Sequence, residues 1–101
     1  MAVLLQFDFP FQGPFGAGMT QALDGLARSI AEEPGFLWKI WTENADEQLA
    51  GGIYLFDSAE SAAAYAKKHS ERLAGFGITG IRAKTFAINE GLSKITRAPG
   101  Y

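Results

Sequence analysis

Apolar and polar residues alternate along VLLQFDF, residues 3–9, placing Val3, Leu5, Phe7 and Phe9 on one face of a strand and Leu4, Gln6 and Asp8 on the other. The pattern stops at FPFQGPFGAG, whose two prolines and three glycines predict a loop. From about Met19 to Glu33 the spacing turns helical, with Met19, Leu23, Leu26 and Ile30 recurring every three or four residues. Gly25 weakens that helix by about 1 kcal/mol relative to alanine, and Pro34-Gly35 ends it. FLWKIWTE predicts a second strand, NADEQLA a polar hairpin turn, and GGIYLF a third strand.

A second long helix is expected from Asp57, read as its cap with Glu60 three residues on, to about Leu73. Ala62, Ala66, His69 and Leu73 form its inward stripe. GFGITG breaks it, IRAKTFAI is the fourth strand, and the tail NEGLSKITRAPGY holds one helical turn. The order β-α-β-β-α-β predicts an α+β, ferredoxin-like fold: a four-stranded antiparallel sheet with both helices on one face. The length fits one domain spanning residues 1–101.

Alternation then assigns the faces. Phe36, Trp38 and Ile40 are expected on the helix side of strand two, with Leu37, Lys39, Trp41 and Glu43 on the other. Ile81, Ala83 and Ala87 match the helix side of strand four, leaving Arg82, Lys84, Phe86 and Ile88 opposite. The second sheet face thus mixes Trp41, Phe86 and Ile88 with charges. It is too apolar for water over a whole face and too charged for an ordinary core. A second copy of the chain, sheet against sheet, is the expected cover, with Lys39, Arg82 and Lys84 neutralising Asp8 and Glu43.

Composition narrows the chemistry. The net charge of −2 argues against a nucleic-acid partner, which would need clustered Lys and Arg. The absence of cysteine excludes disulfides, thiolate catalysis and zinc–sulfur sites, and a single histidine excludes a multi-His metal site within one chain. MAVLLQFDF lacks the basic region and cleavage site of a signal peptide and is too short to span a bilayer, so a cytoplasmic location is expected.

Five stretches carry a family resemblance: QGPFG at 12–16, EPGFLWKIWTE at 33–43, AGGIYLF at 50–56, the KH pair at 68–69, and FAINEGLS at 86–93. With them the sequence resembles the YdhR family of monooxygenases, within the dimeric α+β barrel superfamily that includes the antibiotic-biosynthesis monooxygenases. The resemblance implies a homodimer with a pocket in each subunit between sheet and helices. It also implies a cofactor-independent oxygenation of an aromatic or polyketide-like molecule, with neither cofactor nor metal.

Such chemistry needs a base, donors for a developing enolate and a dry pocket. His69, the only imidazole, is turned toward the sheet and is the candidate base; the plainer reading is a helix-end histidine bonded to a carbonyl. Trp38 is expected to wall the pocket opposite Ala62 and Ala66, or else to fill the core. Tyr54, between Ile53 and Leu55, falls by alternation on the dimer face, and would bind substrate if a register shift at Gly51-Gly52 reversed it. Tyr65 lies at the edge of the stripe. Phe11 and Phe15 belong to a loop that would close on a flat ligand. Asn44 reads first as turn chemistry, and Arg82 and Lys84 as interface ion pairs.

Two other classes fit less well. Haem-handling relatives within the superfamily resemble a pattern of Asn, Trp and His; here Gln6 stands on strand one and Tyr54 and Phe56 on strand three, so only His69 survives. An RNA-recognition domain shares the element order, but the chain lacks a basic stripe and a matching aromatic strand one. A small-molecule binding dimer without catalysis is the blander alternative.

Overall fold

The computed structural model describes all residues, 1–101. In chain order the elements are β1 (Val3–Pro10), α1 (Ala17–Ala22), α2 (Asp24–Ala31), β2 (Phe36–Asn44), β3 (Leu49–Phe56), α3 (Ala59–Gly75), β4 (Arg82–Ala87) and α4 (Glu90–Ile95). The strands form one antiparallel sheet in the order β2-β3-β1-β4, the ferredoxin-like α+β arrangement expected from the sequence. No helix is long and apolar enough to cross a membrane.

The buried face of β1 carries Leu5, Phe7 and Phe9, as its alternation predicts. Directly opposed residues share a face, so the register places Phe56, Tyr54, Gly52 and Ala50 of β3 on that side. It places Ala87, Thr85 and Ala83 of β4 there as well. Against them α3 packs Ala62, Tyr65, His69 and Leu73, all buried. Burying each large side chain contributes about 1.5–3 kcal/mol, and Leu5, Phe7, Tyr54, Phe56 and Ile30 form the centre of that core.

Two boundaries differ from the sequence reading. The helix expected from Met19 to Glu33 is two helices, broken at Leu23, whose φ of −106° and ψ of 10° lie outside the helical well. The cap of α3 is Ser58, not Asp57: its hydroxyl accepts the Ser61 N–H at 3.1 Å. Serine is a strong cap, worth about 1 kcal/mol. The tail turn does form, as α4, with the Asn89 side chain accepting the Leu92 N–H at 3.0 Å.

The larger correction concerns β2. Phe36 pairs with Phe56, but the next pair is Trp38 with Leu55, so Leu37 is an extra, unpaired residue. A bulge of this kind reverses the side-chain parity beyond it. Phe36 therefore faces the helices as expected, while Lys39, Trp41 and Glu43 turn to the helix side opposite Tyr54, Gly52 and Ala50. Trp38 and Ile40 go to the open face beside Leu55 and Ile53. Tyr54 is likewise on the helix side, fully buried, and no shift at Gly51-Gly52 is involved: β3 pairs regularly with β1 along its length. The expected neutralisation across copies changes too. Arg82 binds Asp8 of its own sheet through two hydrogen bonds, 2.8 and 3.0 Å. Glu43 accepts the Gly16 N–H at 2.8 Å, which ties the glycine-rich loop to the sheet.

Candidate functional site

The parity switch at Leu37 creates the site. Between sheet and helices lies a cavity of about 180 Å³, lined mainly by apolar residues from β1, α1, α2, β3, α3 and the segment after α3. Phe9, Phe11, Met19, Leu26 and Leu73 make apolar walls. Polar side chains reach it from three places only: Lys39 on β2, Tyr54 on β3 and His69 on α3. Trp41 completes the lining and also borders a shallow depression with Thr20, Asp24 and Glu43.

The residues expected from sequence divide accordingly. His69, Tyr54 and Phe11 line the cavity. Trp38 does not: it stands on the open face, and its indole N–H is buried without an acceptor. The tryptophan at the cavity is Trp41. Tyr65 sits behind the lining, its hydroxyl donating to the Tyr54 hydroxyl at 3.0 Å. Phe15 meets Phe11 edge to face at 5.7 Å, one layer out. Asn44 is absent from the cavity. Its carboxamide accepts the Glu47 N–H at 3.0 Å and donates to the Glu47 carboxylate at 2.9 Å, which is turn chemistry.

Lys39 is the polar residue that sequence reading assigned to the wrong side. Its Nζ lies 3.2 Å from the centre of the Trp41 ring and 4.6 Å from that of Tyr54. Gly52, opposite Trp41, makes room for it: a Cβ there would overlap the Lys39 Cε. No carboxylate lies within ion-pair reach of Lys39 or of Arg72, since the three ion pairs use Arg28, Lys68 and Arg82. Burial first, and then the charge of Arg72, lower the Lys39 amine to about 7. The two ring faces return part of the lost solvation, about 0.5–2 kcal/mol. The result is an amine for which both protonation states are accessible near neutral pH.

His69 is held differently. Its Nδ1 accepts from the Arg72 guanidinium, at 3.2 Å from Nε and 2.9 Å from Nη2. A guanidinium only donates, so Nδ1 carries the lone pair and Nε2 the proton. Burial, then Arg72, then Lys39 push the imidazole down to about 3, keeping it neutral. The ring stacks on Tyr65 with centroids 5.1 Å apart and meets Phe7 edge to face. Burial raises both phenols, Tyr65 to about 12 and Tyr54 further, so neither ionises near neutral pH. In chemical terms, His69 offers an N–H donor, Tyr54 stays protonated, and Lys39 alone offers a free lone pair.

Comparisons with known proteins agree with this architecture. The family described as "Putative mono-oxygenase ydhR" matches residues 4–99. Among solved structures, a variant of SnoaB, a cofactor-independent oxygenase from Streptomyces nogalater, superposes with a TM-score of 0.63 at 15% identity, covering 87% of this chain and 93% of that one. A monooxygenase from the gene ActVA-Orf6 of Streptomyces coelicolor, in complex with nanaomycin D, gives 0.59 at 21% identity, covering 87% and 88%. At such identities these likenesses speak to the fold. No curated protein matches the chain in sequence.

The shifted lysine has a consequence for stability. The unfolded chain keeps the Lys39 proton up to its ordinary value of 10.5, whereas the folded chain releases it at about 7. Between those values the unfolded state binds more protons, so stability rises with pH. The melting temperature should climb by roughly 12–20 °C from pH 7 to 9.5, and Lys39→Met should be more stable at pH 7 and lose that climb. A flat wild-type profile over this range would show that the amine is solvated.

Proposed function

The chain belongs to the ydhR family of mono-oxygenases, and on that premise we propose that it oxygenates a planar, phenol-bearing aromatic molecule in the cavity without a bound cofactor. The observation that carries this reading is the lining: aromatic and aliphatic walls with polar groups confined to Lys39, Tyr54 and His69. Apolar walls exclude water and favour a flat hydrophobic ring system, while the few polar groups orient its oxygen.

In outline, a ring CH2 conjugated to a carbonyl is drawn off through its phenol tautomer, whose O–H loses its proton to give the enolate, and the enolate passes an electron to O2. The two radicals join as a hydroperoxide on that carbon, and loss of water leaves a carbonyl. One CH2 and one O2 become one C=O and one H2O, with no external reductant. In this reading the Nε2–H of His69, at the cavity lining, donates to the developing oxyanion, with the Tyr54 ring 6.5 Å away between centroids. This role for His69 replaces the general base suggested by the sequence, because its lone pair is engaged by Arg72.

With 1,8-dihydroxyanthrone as probe, oxygen uptake above the uncatalysed rate is expected with no added flavin, haem or metal. Saturable quenching of tryptophan fluorescence should accompany binding. Trp41→Phe should weaken it by roughly 3–10-fold, while Trp38→Phe leaves it nearly unchanged. Quenching without uptake would leave a binding protein and refute the oxygenase reading.

The functional unit in this reading is a homodimer that covers the open sheet face. Ile40 and Phe86 on that face are about half exposed, as is Leu37 at the bulge, and Leu92 and Ile95 of α4 are more exposed still. A water-facing sheet does not carry such a set without a partner surface. Light scattering should give twice the 10.9 kDa chain mass, falling to a single chain in an Ile40→Glu, Phe86→Glu double variant. A wild-type mass of one folded chain would rule the dimer out.

A further inference from the structure

Lys39 is an unusual residue to find where it is. It is the one cavity-lining side chain that carries a full charge in its ordinary state, it has no carboxylate partner, and a glycine is kept at position 52 where its stem passes. The titratable and charged groups facing it are Tyr54 from β3, His69 and Arg72 from α3, and Tyr65 behind Tyr54. None is an acid that could neutralise an ammonium near neutral pH. A single cationic side chain thus lines an apolar cavity that holds no anion of its own, with the Arg72 charge behind His69.

Building on the proposed oxygenation, we propose that Lys39 is its catalytic base: the Nζ lone pair takes the proton from the phenolic oxygen of the ligand, and the resulting ammonium holds the phenolate. The N–H bond forms as the O–H bond breaks, and the electron pair stays on oxygen. The cavity then contains an ammonium–phenolate pair in place of an amine and a neutral phenol, and no net charge is brought in from water. Trp41 and Tyr54 support the ammonium by their ring faces. Arg72 acts as a positioning residue, fixing the His69 tautomer from behind. The alternatives for the base are weak on geometry: the His69 lone pair is engaged by Arg72, and the two tyrosines are mutually bonded and protonated.

The acceptor chemistry selects the ligand. A carboxylic acid would arrive already ionised and would need only a cation, whereas an alcohol is too weak an acid to yield its proton to an amine. A phenol acidified by a conjugated carbonyl or nitro group falls between. The ligand class is therefore a flat aromatic with one activated phenol, entering as the neutral form and reacting as the anion.

The test uses 4-nitrophenol, whose anion alone is yellow, with the full-length protein. Bound to the wild type, the dye should ionise about 1–3 pH units below its free value, the range set by an opposite charge at contact distance. Lys39→Met should bind the neutral dye and abolish the downward shift. Lys39→Arg should keep the shift, because the guanidinium still holds the anion. It should also lose oxygen uptake with 1,8-dihydroxyanthrone by about 10²–10⁴-fold, because it cannot accept the proton. A wild type that fails to bind the dye, or binds it without a shift, overturns the proposal, as does a shift that survives in Lys39→Met. Uptake in Lys39→Arg within threefold of wild type overturns the base role. A dye shift that depends on Lys39 with no oxygen uptake in any protein would instead count against the oxygenase reading and leave the ionising site standing.

Discussion

The ammonium of Lys39, 3.2 Å above the Trp41 ring and without a carboxylate in reach, is the contact around which the interior is arranged. Moving a charge from water into an apolar layer costs several kcal/mol unless it is paired or gives up its proton. Here the cost is met partly by two aromatic faces and partly by the lowered affinity for the proton. The same constraint explains the neighbours. Gly52 leaves the stem its path, Arg72 adds a second positive charge, and the His69 imidazole stays neutral under both. A fold optimised for stability alone would put an aliphatic residue at position 39. Stability given up in this way is the usual accompaniment of a functional site.

One backbone irregularity makes the arrangement available. Without the extra residue Leu37, Lys39 and Trp41 would stand on the open face and Trp38 and Ile40 would fill the space beneath the helices. The bulge lets a single strand present Phe36 to the core at one end and Lys39, Trp41 and Glu43 further along. Glu43, at the far end, accepts the Gly16 N–H and so ties the loop bearing Phe11 and Phe15 to the same strand. β2 therefore supplies the polar floor of the cavity, part of its wall and the anchor of its loop.

Much of this was legible in the sequence, for physical reasons that also mark where legibility stopped. The β1 alternation and the Ala62–Leu73 stripe were readable because each has one clearly apolar side, and the faces of β4 because Arg82 and Lys84 alternate with small residues. His69 was found at the cavity by the same logic, and Phe11 as part of an aromatic loop expected to close on a ligand. β3 and β2 resisted it, since IYLF and FLWKIW are apolar on both sides and alternation cannot choose between them. The bulge at Leu37 has no composition signal beyond its closeness to Pro34-Gly35. Missing it exchanged Trp38 for Trp41 and sent Lys39 to an imagined ion pair. A lysine flanked by large apolar residues, with a glycine pair on the next strand, is the signal that pointed inward.

The central claim is that Lys39 is half-buried beneath the helices and poised to exchange a proton. Side-chain NMR of the protein labelled with carbon-13 at lysine Cε measures it most directly, following each of the lysines through a pH titration. Lys39 should titrate near 7, far below its ordinary value of 10.5. Its resonance should also be displaced by the ring currents of Trp41 and Tyr54. A Lys39 midpoint near 10, with no ring-current shift, would place the amine in water and contradict the account.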